Sequence, residues 1–276
     1  MMVPMIETPL LRMPKLGLGT WPMKGAECQA AVESAIAMGY RHIDTAEMYG
    51  NEAEVGAGIA ASGVARDELF VTTKVWNDKL TKDGIAGAIS ASLAKLKLDH
   101  VDLFHIHWPN AAMVLEEALG GLEAARVAGQ ARAVGVCNFP PKLFRRAIAA
   151  GVAPIACLQV EHHVYLDQAP LKAIAREHGI AFTCYSPTTK NAVADDPVMR
   201  AIAEKHGSTP VQVALAWLLR EEGVAAIPKA AGAANQRANL AALSIRLDAA
   251  DVAAIDALPK ARRLVNPAFA PDWANG

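Results

Sequence analysis

Four polar residues that end or follow apolar runs can together act as a tuned general acid. Asp44 closes the short run in GYRHIDTAEMYGNE, and Tyr49 follows it by five residues. An unperturbed tyrosine has a pKa of about 10, and a close ammonium lowers that pKa by roughly one to three units. Lys74 can supply the ammonium, Asp44 can hold Lys74 charged and in place, and His107 can hydrogen-bond a substrate oxygen. Such a set protonates an oxygen that gains negative charge, as carbonyl reduction requires.

The elements that position these residues are predicted from β-rich apolar runs that alternate with Ala-rich segments of helical period. Eight runs are predicted as strands: 16–21, 40–44, 69–76, 101–108, 131–139, 154–161, 180–186 and 224–229. Apolar strands that are each followed by a helix indicate a parallel sheet covered on both faces. Eight such units without a linker predict one α/β domain over residues 1–276, a closed (β/α)8 TIM barrel. A doubly wound open sheet is the alternative.

Two segments exceed the eight units and are predicted as extra surface helices. They are residues 195–207, DDPVMRAIAEKHG, and residues 248–258, DAADVAAIDAL. A short hairpin is expected at the N-terminus. In a barrel the chemistry lies at the carboxyl ends of the strands. The predicted strand ends carry Trp21, Asp44, Lys74, His107, Asn138, Gln159, Tyr185 and Lys229.

Composition excludes several classes of protein. With 53% hydrophobic and 20% charged residues, the chain can bury a large core. A net charge of −1 without a basic run disfavours nucleic acid or an acidic membrane as the main partner. The four cysteines lie far apart, the first residues lack the basic and then apolar pattern of a signal peptide, and no apolar stretch of about 18 residues occurs. We therefore expect a monomeric, cytoplasmic protein without disulfides or structural zinc.

The chain resembles the aldo-keto reductases along nearly its whole length. The resemblance rests on motifs in the family's order: GYRHIDTAEMYGNE, VTTKVW, DLFHIHWP, GVCNF, LQVEHHVYL, CYSP and IPK. The short connection after IHWP and the ending RRLVNPAFAPDW are most similar to the bacterial 2,5-diketo-D-gluconate reductases of the B type. The resemblance implies a (β/α)8 enzyme that reduces small aldehydes and ketones with NADPH.

The resemblance also implies a role for each matching position. Tyr49 would donate the proton, Lys74 and Asp44 would tune it, and His107 would orient the carbonyl. Residues implied to contact the cofactor, NADPH/NADP+ with NADH as a weaker alternative, are Thr20, Trp21, Asp44, Asn138, Gln159, Tyr185, Ser186, Pro187, Lys229, Asn235 and Asn239. Residues implied to contact the substrate are Trp21, Tyr49, Trp76, His107 and Trp108. The family uses no metal.

Two features bear on selectivity. Ala230 and Asn235 stand where many members of the family carry Ser or Thr and Arg, so we expect a preference for NADPH that is real but moderate. The short segment after Trp108 and the short C-terminal tail indicate an open pocket for small polar carbonyls, such as methylglyoxal or 2,5-diketo-D-gluconate.

Two further patterns have competing interpretations. GAGIAA (56–61) fits the dinucleotide fingerprint GxGxxA, yet it lies inside a predicted helix, so we interpret it as a small-residue face packing on the barrel. His105 and His107 share a strand face and, with Glu161 and His163, could form a metal site. We interpret His105 as a core residue one layer below His107. A metal-dependent hydrolase and a binding module that has lost its chemistry remain the alternative functions.

Overall fold

The computed structural model describes residues 3–273 and begins with an antiparallel hairpin. The hairpin pairs β1 (Met5–Glu7) with β2 (Arg12–Pro14), which confirms the predicted N-terminal hairpin. Eight parallel strands follow: β3 (Leu18–Gly19), β4 (His42–Asp44), β5 (Phe70–Val75), β6 (Val101–Ile106), β7 (Ala131–Cys137), β8 (Ile155–Glu161), β9 (Ala181–Tyr185) and β10 (Val224–Ala226).

These strands form a barrel because each pairs with the next along the chain and the last meets the first. The order from β3 to β10 is sequential, without the reversal that a doubly wound sheet requires. Closure comes from the Gly17 N–H, which donates to the Ala226 carbonyl at 2.9 Å, and from parallel pairing of Gly19 with Lys229. The predicted (β/α)8 barrel is confirmed, and the alternative of an open sheet is wrong.

In the described part of the chain, ten α-helices surround the strands: α1 (Gly25–Ala37), α2 (Glu52–Ala61), α3 (Lys82–Leu96), α4 (Leu115–Val127), α5 (Pro141–Ala150), α6 (Ala169–Glu177), α7 (Pro197–Lys205), α8 (Pro210–Leu219), α9 (Ala233–Ala241) and α10 (Ala249–Asp256). Eight of them follow one strand each. The two extra helices, α7 and α10, match the two predicted segments. Each begins at an aspartate whose carboxylate accepts backbone N–H groups of the first turn, Asp196 for α7 and Asp248 for α10.

The hairpin covers the amino-terminal mouth of the barrel. Ile6, Leu11 and Met13 are buried in one apolar cluster with inward-facing residues near the strand beginnings, including Phe70 and Leu103. The opposite mouth, at the carboxyl ends of the strands, is left open for polar side chains.

The GxGxxA stretch lies within α2, as predicted. A Cβ on Gly56 would lie 2.2 Å from the Leu96 carbonyl oxygen, and one on Gly58 would lie 2.7 Å from the Gln29 carbonyl oxygen. Both glycines therefore permit close packing. The contact is with the neighbouring helices α3 and α1, whereas we had expected the barrel itself.

Within residues 3–273, every helix is too short or too polar to cross a lipid bilayer.

Candidate active site

A buried ion pair lies at the carboxyl ends of β4 and β5. Lys74 Nζ donates to Asp44 Oδ1 at 2.5 Å and to the Thr45 carbonyl at 2.8 Å. The side chains of Lys74 and Asp44 are 0% and 2% exposed. Lys74 Nζ also lies 5.1 Å from the centre of the Tyr49 ring. The structure therefore brings together the three residues predicted to form the tuned acid.

The loop that carries Tyr49 is held from several sides. A short 3-10 turn, Glu47–Tyr49, ends at Gly50, whose φ of 60° favours glycine. The Lys24 ammonium donates to the Tyr49 carbonyl. Glu47 Oε1 accepts from the Trp76 backbone N–H at 2.5 Å, which ties this loop to the one after β5. Sequence patterns did not single out Glu47, because its partner lies in another loop.

Burial shifts the pKa of Tyr49 upward, which the sequence did not indicate. Burial of the phenol raises the pKa of Tyr49 to about 12, although the ammonium of Lys74 opposes this rise. For Lys74, burial lowers the pKa, but Asp44 and Tyr49 more than offset it, so the net pKa is raised. The expectation that Lys74 brings the Tyr49 pKa below its ordinary value is wrong, because burial outweighs the ammonium. Tyr49 is protonated and Lys74 is charged at neutral pH.

His107 stands beside the phenol as a neutral ring. Its centroid lies 5.5 Å from that of Tyr49 and 5.2 Å from that of Trp76, edge-on in both cases. Burial, with the nearby charge of Lys74, holds the pKa of His107 well below its ordinary value. Its Nδ1 is buried, and no described residue hydrogen-bonds to it. A neutral imidazole next to a phenol can donate to a substrate oxygen without carrying charge.

Three residues predicted for the nicotinamide end form a connected group. Asn138, held at φ 61°, donates from Nδ2 to the His107 carbonyl at 2.9 Å and accepts from the Tyr185 hydroxyl at 2.8 Å. Gln159 Nε2 donates to Asp44 Oδ2 at 2.8 Å. No described residue donates to Gln159 Oε1, so that oxygen is available to a bound amide.

The other predicted cofactor residues lie farther from the acid. Thr20 is fully buried and its hydroxyl donates to the Asp44 carbonyl at 3.0 Å. Asn239 is buried near the Tyr40 hydroxyl, which donates to the Gln236 carbonyl at 2.9 Å. Lys229 and Asn235 are exposed at the rim, and Ser186 and Pro187 begin the loop after β9. Among these residues, only Thr20 hydrogen-bonds to a member of the predicted tetrad, which is Asp44, Tyr49, Lys74 and His107. The cofactor contacts of the others stay predictions.

The loop after β9 contains strain that the sequence did not reveal. Ser186, Thr189, Lys190 and Asn191 all adopt positive φ, between 50° and 69°. Such angles are uncommon for residues other than glycine and concentrate at functional sites.

An aromatic wall extends from the phenol toward the C-terminal tail. Trp21 lies 5.2 Å from the Tyr49 ring, and Trp76 and Trp108 both contact Phe269 edge-on at 5.4 and 5.6 Å. Trp273 lies 6.1 Å from Trp108. The three predicted tryptophans thus line one cleft, and two tail residues join them. For Phe269 and Trp273, the sequence offered one indication, which was that aromatic side chains occur in a short polar tail.

The residues considered for a metal site serve other purposes. His105 is fully buried one layer below His107, as interpreted from the sequence. Glu161 Oε1 bonds His163 Nε2 at 2.9 Å, and both Glu161 oxygens accept backbone N–H groups. In the part of the chain that the structure describes, no group of three or more His, Cys, Asp or Glu side chains is arranged to hold a metal ion.

Comparison with known proteins agrees with the geometry. Residues 15–260 match the aldo/keto reductase family. The methylglyoxal reductase DkgB of Escherichia coli O157:H7 is 42% identical over 267 residues, which cover 95% of this chain and 100% of the relative. A crystal structure assigned as a 2,5-diketo-D-gluconic acid reductase B gives a TM-score of 0.92 at 40% identity and covers 94% of this chain and 93% of its own. The Bombyx mori aldo-keto reductase in complex with NADP gives a TM-score of 0.89 at 34% identity, with 96% of each chain covered.

The family, the fold and the cluster of polar side chains at the barrel mouth all indicate the same class of chemistry. Aldo-keto reductases are oxidoreductases that act on carbonyl compounds with nicotinamide cofactors. The resemblance inferred from the motifs is confirmed: this chain belongs to the aldo/keto reductase family and is an oxidoreductase acting on carbonyls.

Proposed function

We propose that this protein reduces small aldehydes and ketones, such as methylglyoxal and 2,5-diketo-D-gluconate, to alcohols with NADPH, and that Tyr49 donates the proton. One observation carries the proposal. The charged Lys74, held by the buried Asp44, lies beside a protonated Tyr49 at the open mouth of the barrel. The named activities of the DkgB relative and of the diketogluconate reductase support the choice of substrates.

The protonation states of Tyr49, Lys74 and His107 determine the role of each in the proposed reaction. Tyr49 keeps its proton at neutral pH, so it can hydrogen-bond a carbonyl oxygen and give up that proton as the oxygen becomes an alkoxide. The ammonium of Lys74 then stabilises the phenolate that remains. His107, neutral and edge-on to Tyr49, can donate a second hydrogen bond that orients the carbonyl. Trp21 packs on the Tyr49 ring and limits the approach to this oxygen from one side.

The neighbouring residues fit a nicotinamide ring. Tyr185 offers a partly exposed aromatic face, and its hydroxyl is fixed by Asn138. Gln159 has its nitrogen occupied by Asp44, so its oxygen is left to accept from a carboxamide N–H. When bound, the reduced nicotinamide supplies the hydride. The direct bond between Gln159 and Asp44 links cofactor binding to the proton-donating group.

The proposal is tested by following the absorbance of reduced cofactor with a panel of carbonyls, using NADPH and NADH in parallel. We expect cofactor oxidation that depends on methylglyoxal or another small carbonyl. A purified, folded protein that binds NADPH but oxidises it with no carbonyl in the panel would support a binding module instead.

The pH dependence follows from the shifted pKa values. Because the lowered pKa of His107 keeps the ring neutral at every pH above that value, and the raised pKa keeps Tyr49 protonated, neither group titrates near neutrality. We expect the single-turnover rate of reduction to stay constant from about pH 6 to about pH 8, although free histidine titrates near 6.5. A step near pH 6.5 that disappears in His107→Gln would show that His107 changes charge during the reaction.

The preference for NADPH should depend on one exposed ammonium. The ammonium of Lys229 is exposed and makes no hydrogen bond or ion pair with residues 3–273, and Ala230 beside it has no hydroxyl to offer a phosphate. One charge-assisted hydrogen bond is worth about 1.5–3 kcal/mol, which corresponds to roughly ten- to a hundredfold. We expect that preference in kcat/KM for NADPH over NADH, and we expect Lys229→Met to remove most of it while NADH use stays nearly constant.

Lys190 in the loop after β9 provides a matched control, because it is another exposed lysine near the predicted cofactor region. Lys190→Met should lower kcat/KM for both cofactors alike if it contacts a group they share, and for neither if it contacts none. Equal weakening of NADPH and NADH by Lys229→Met would refute its assignment to the 2′-phosphate.

A further inference from the structure

The carboxylate of Glu161 is buried at the end of β8 and belongs to no part of the proposed chemistry. Its side chain is 0% exposed. Oε1 accepts from the Leu264 N–H at 2.7 Å, and Oε2 accepts from the Val265 N–H at 2.9 Å. A buried charge is expensive unless it is hydrogen-bonded, so this carboxylate depends on the two amides of the C-terminal segment.

His163 adds a third donor to this carboxylate without adding charge. The Tyr165 N–H donates to His163 Nδ1 at 3.2 Å, so Nδ1 is the acceptor and Nε2 carries the proton. That Nε2–H points to Glu161 Oε1 at 2.9 Å. Glu161 thus receives three donors, and two of them are consecutive backbone N–H groups from a segment about a hundred residues later.

The segment that Glu161 holds continues into the aromatic wall. We call residues 264–273 the C-terminal strap. Phe269 of the strap contacts Trp76 and Trp108, and Trp273 contacts Trp108. Inside the strap, Trp273 Nε1 donates to Asn266 Oδ1 at 2.9 Å, and this bond stabilises the conformation of the strap. Fixing Leu264 and Val265 therefore fixes where the aromatic end of the strap lies over the cleft.

We propose that Glu161 is a positioning residue for substrate binding: it anchors the C-terminal strap so that Phe269 and Trp273 close one side of the cleft. It acts through the strap and touches no reacting atom. The proposal rests on the proposed function only where substrate is concerned, because the anchoring itself is a property of the fold. Substrates with a ring that reaches Phe269 should depend on Glu161 more than methylglyoxal does.

The anchoring is tested without any activity measurement. Glu161→Gln keeps the shape of the side chain but leaves one oxygen to accept hydrogen bonds. The NH2 group that replaces the other oxygen is a donor, so it cannot accept from the backbone N–H that faces it. We expect the amide hydrogen-exchange protection of Leu264 and Val265 to fall by about tenfold or more, as the loss of one charge-assisted hydrogen bond predicts. Unchanged protection of both amides would overturn the proposal, whether or not the protein reduces carbonyls.

The positioning role is tested by a double-mutant cycle on benzaldehyde reduction. Glu161→Gln should raise KM by about tenfold with a much smaller change in kcat, and Phe269→Ala should raise KM similarly. If Glu161 acts through the strap, the double variant should have a KM no higher than that of Phe269→Ala alone. Effects that multiply would overturn the proposal.

Two further variants separate anchoring from stability. Asp102 is also a buried carboxylate that accepts a backbone N–H, that of Val71 at 2.9 Å, but at the opposite end of the barrel. Asp102→Asn should lower the melting temperature and leave KM unchanged. If Glu161→Gln does not fold, Val265→Pro removes one donor and keeps the carboxylate, and it should raise KM in the same way. A variant of either kind that lowers the melting temperature as Asp102→Asn does, with unchanged KM, would show that Glu161 is structural only.

Discussion

Replacing Tyr49 with phenylalanine is expected to slow carbonyl reduction by about 10²–10⁴-fold, the usual contribution of a positioned general acid. The change removes the hydroxyl and keeps the ring that packs between Trp21 and His107. Without the hydroxyl, the developing alkoxide loses both its proton source and one hydrogen-bond donor. The measurement is the single-turnover rate at saturating NADPH, which reports the chemical step and not product release.

Two controls make this result specific. Cofactor affinity, followed by quenching of tryptophan fluorescence, should be nearly the same in Tyr49→Phe and wild type. Tyr165→Phe removes another phenol, which donates to Asp196 at 2.8 Å, and should leave the rate unchanged. If Tyr49→Phe retains more than about a tenth of the wild-type rate, well above the usual range for an acid, another group donates the proton.

The architecture was predictable because it depends on local signals. Apolar runs followed by helical segments identified all eight strands, and the aspartates that begin α7 and α10 marked the extra helices. The strand ends were less predictable. The strand in the run 224–229 ends at Ala226. The Ile227 N–H still donates to the Cys184 carbonyl at 3.1 Å, but Pro228 has no N–H to continue the pairing with β9.

The places of Asp44, Tyr49, Lys74 and His107 were predictable from the sequence, but the pKa of Tyr49 was not. The four tetrad residues do meet at one mouth of the barrel, as strand ends of a barrel must. The net pKa of Tyr49 could not be inferred, because it depends on how deeply the phenol is buried, and burial is set by the packing of Trp21, His107 and the loop of Glu47. The spacing of residues along the chain does not indicate how deeply a side chain is buried.

Contacts between distant segments were also beyond the sequence. Glu161 and Leu264 are about a hundred residues apart, and nothing in either motif indicates that one accepts from the other. The same holds for Phe269 against Trp76. Polar residues that bond backbone groups of another loop give no periodic signal, so their roles emerge only when the fold places them together.

Variants of the buried pair Lys74 and Asp44 should affect stability and catalysis differently. Lys74→Met leaves Asp44 buried with no cation, and its remaining donor is the amide of Gln159. Breaking a buried pair in this way costs about 3–5 kcal/mol, whereas replacing both charges by neutral groups is often close to neutral. We therefore expect Lys74→Met to lower the free energy of unfolding by that amount, and Lys74→Met with Asp44→Asn to recover most of it.

Catalysis should not recover in the double variant. Both variants lack the ammonium that favours the phenolate, so the pKa of Tyr49 rises further and its proton becomes harder to give up. Because the wild-type pKa of Tyr49 is already about 12, the single-turnover rate of each variant should stay low across the accessible pH range, even where the fold is restored. Denaturant unfolding and pH-dependent rates on the same preparations test both halves. If activity returned together with stability, Lys74 would hold the barrel together and would not tune the acid.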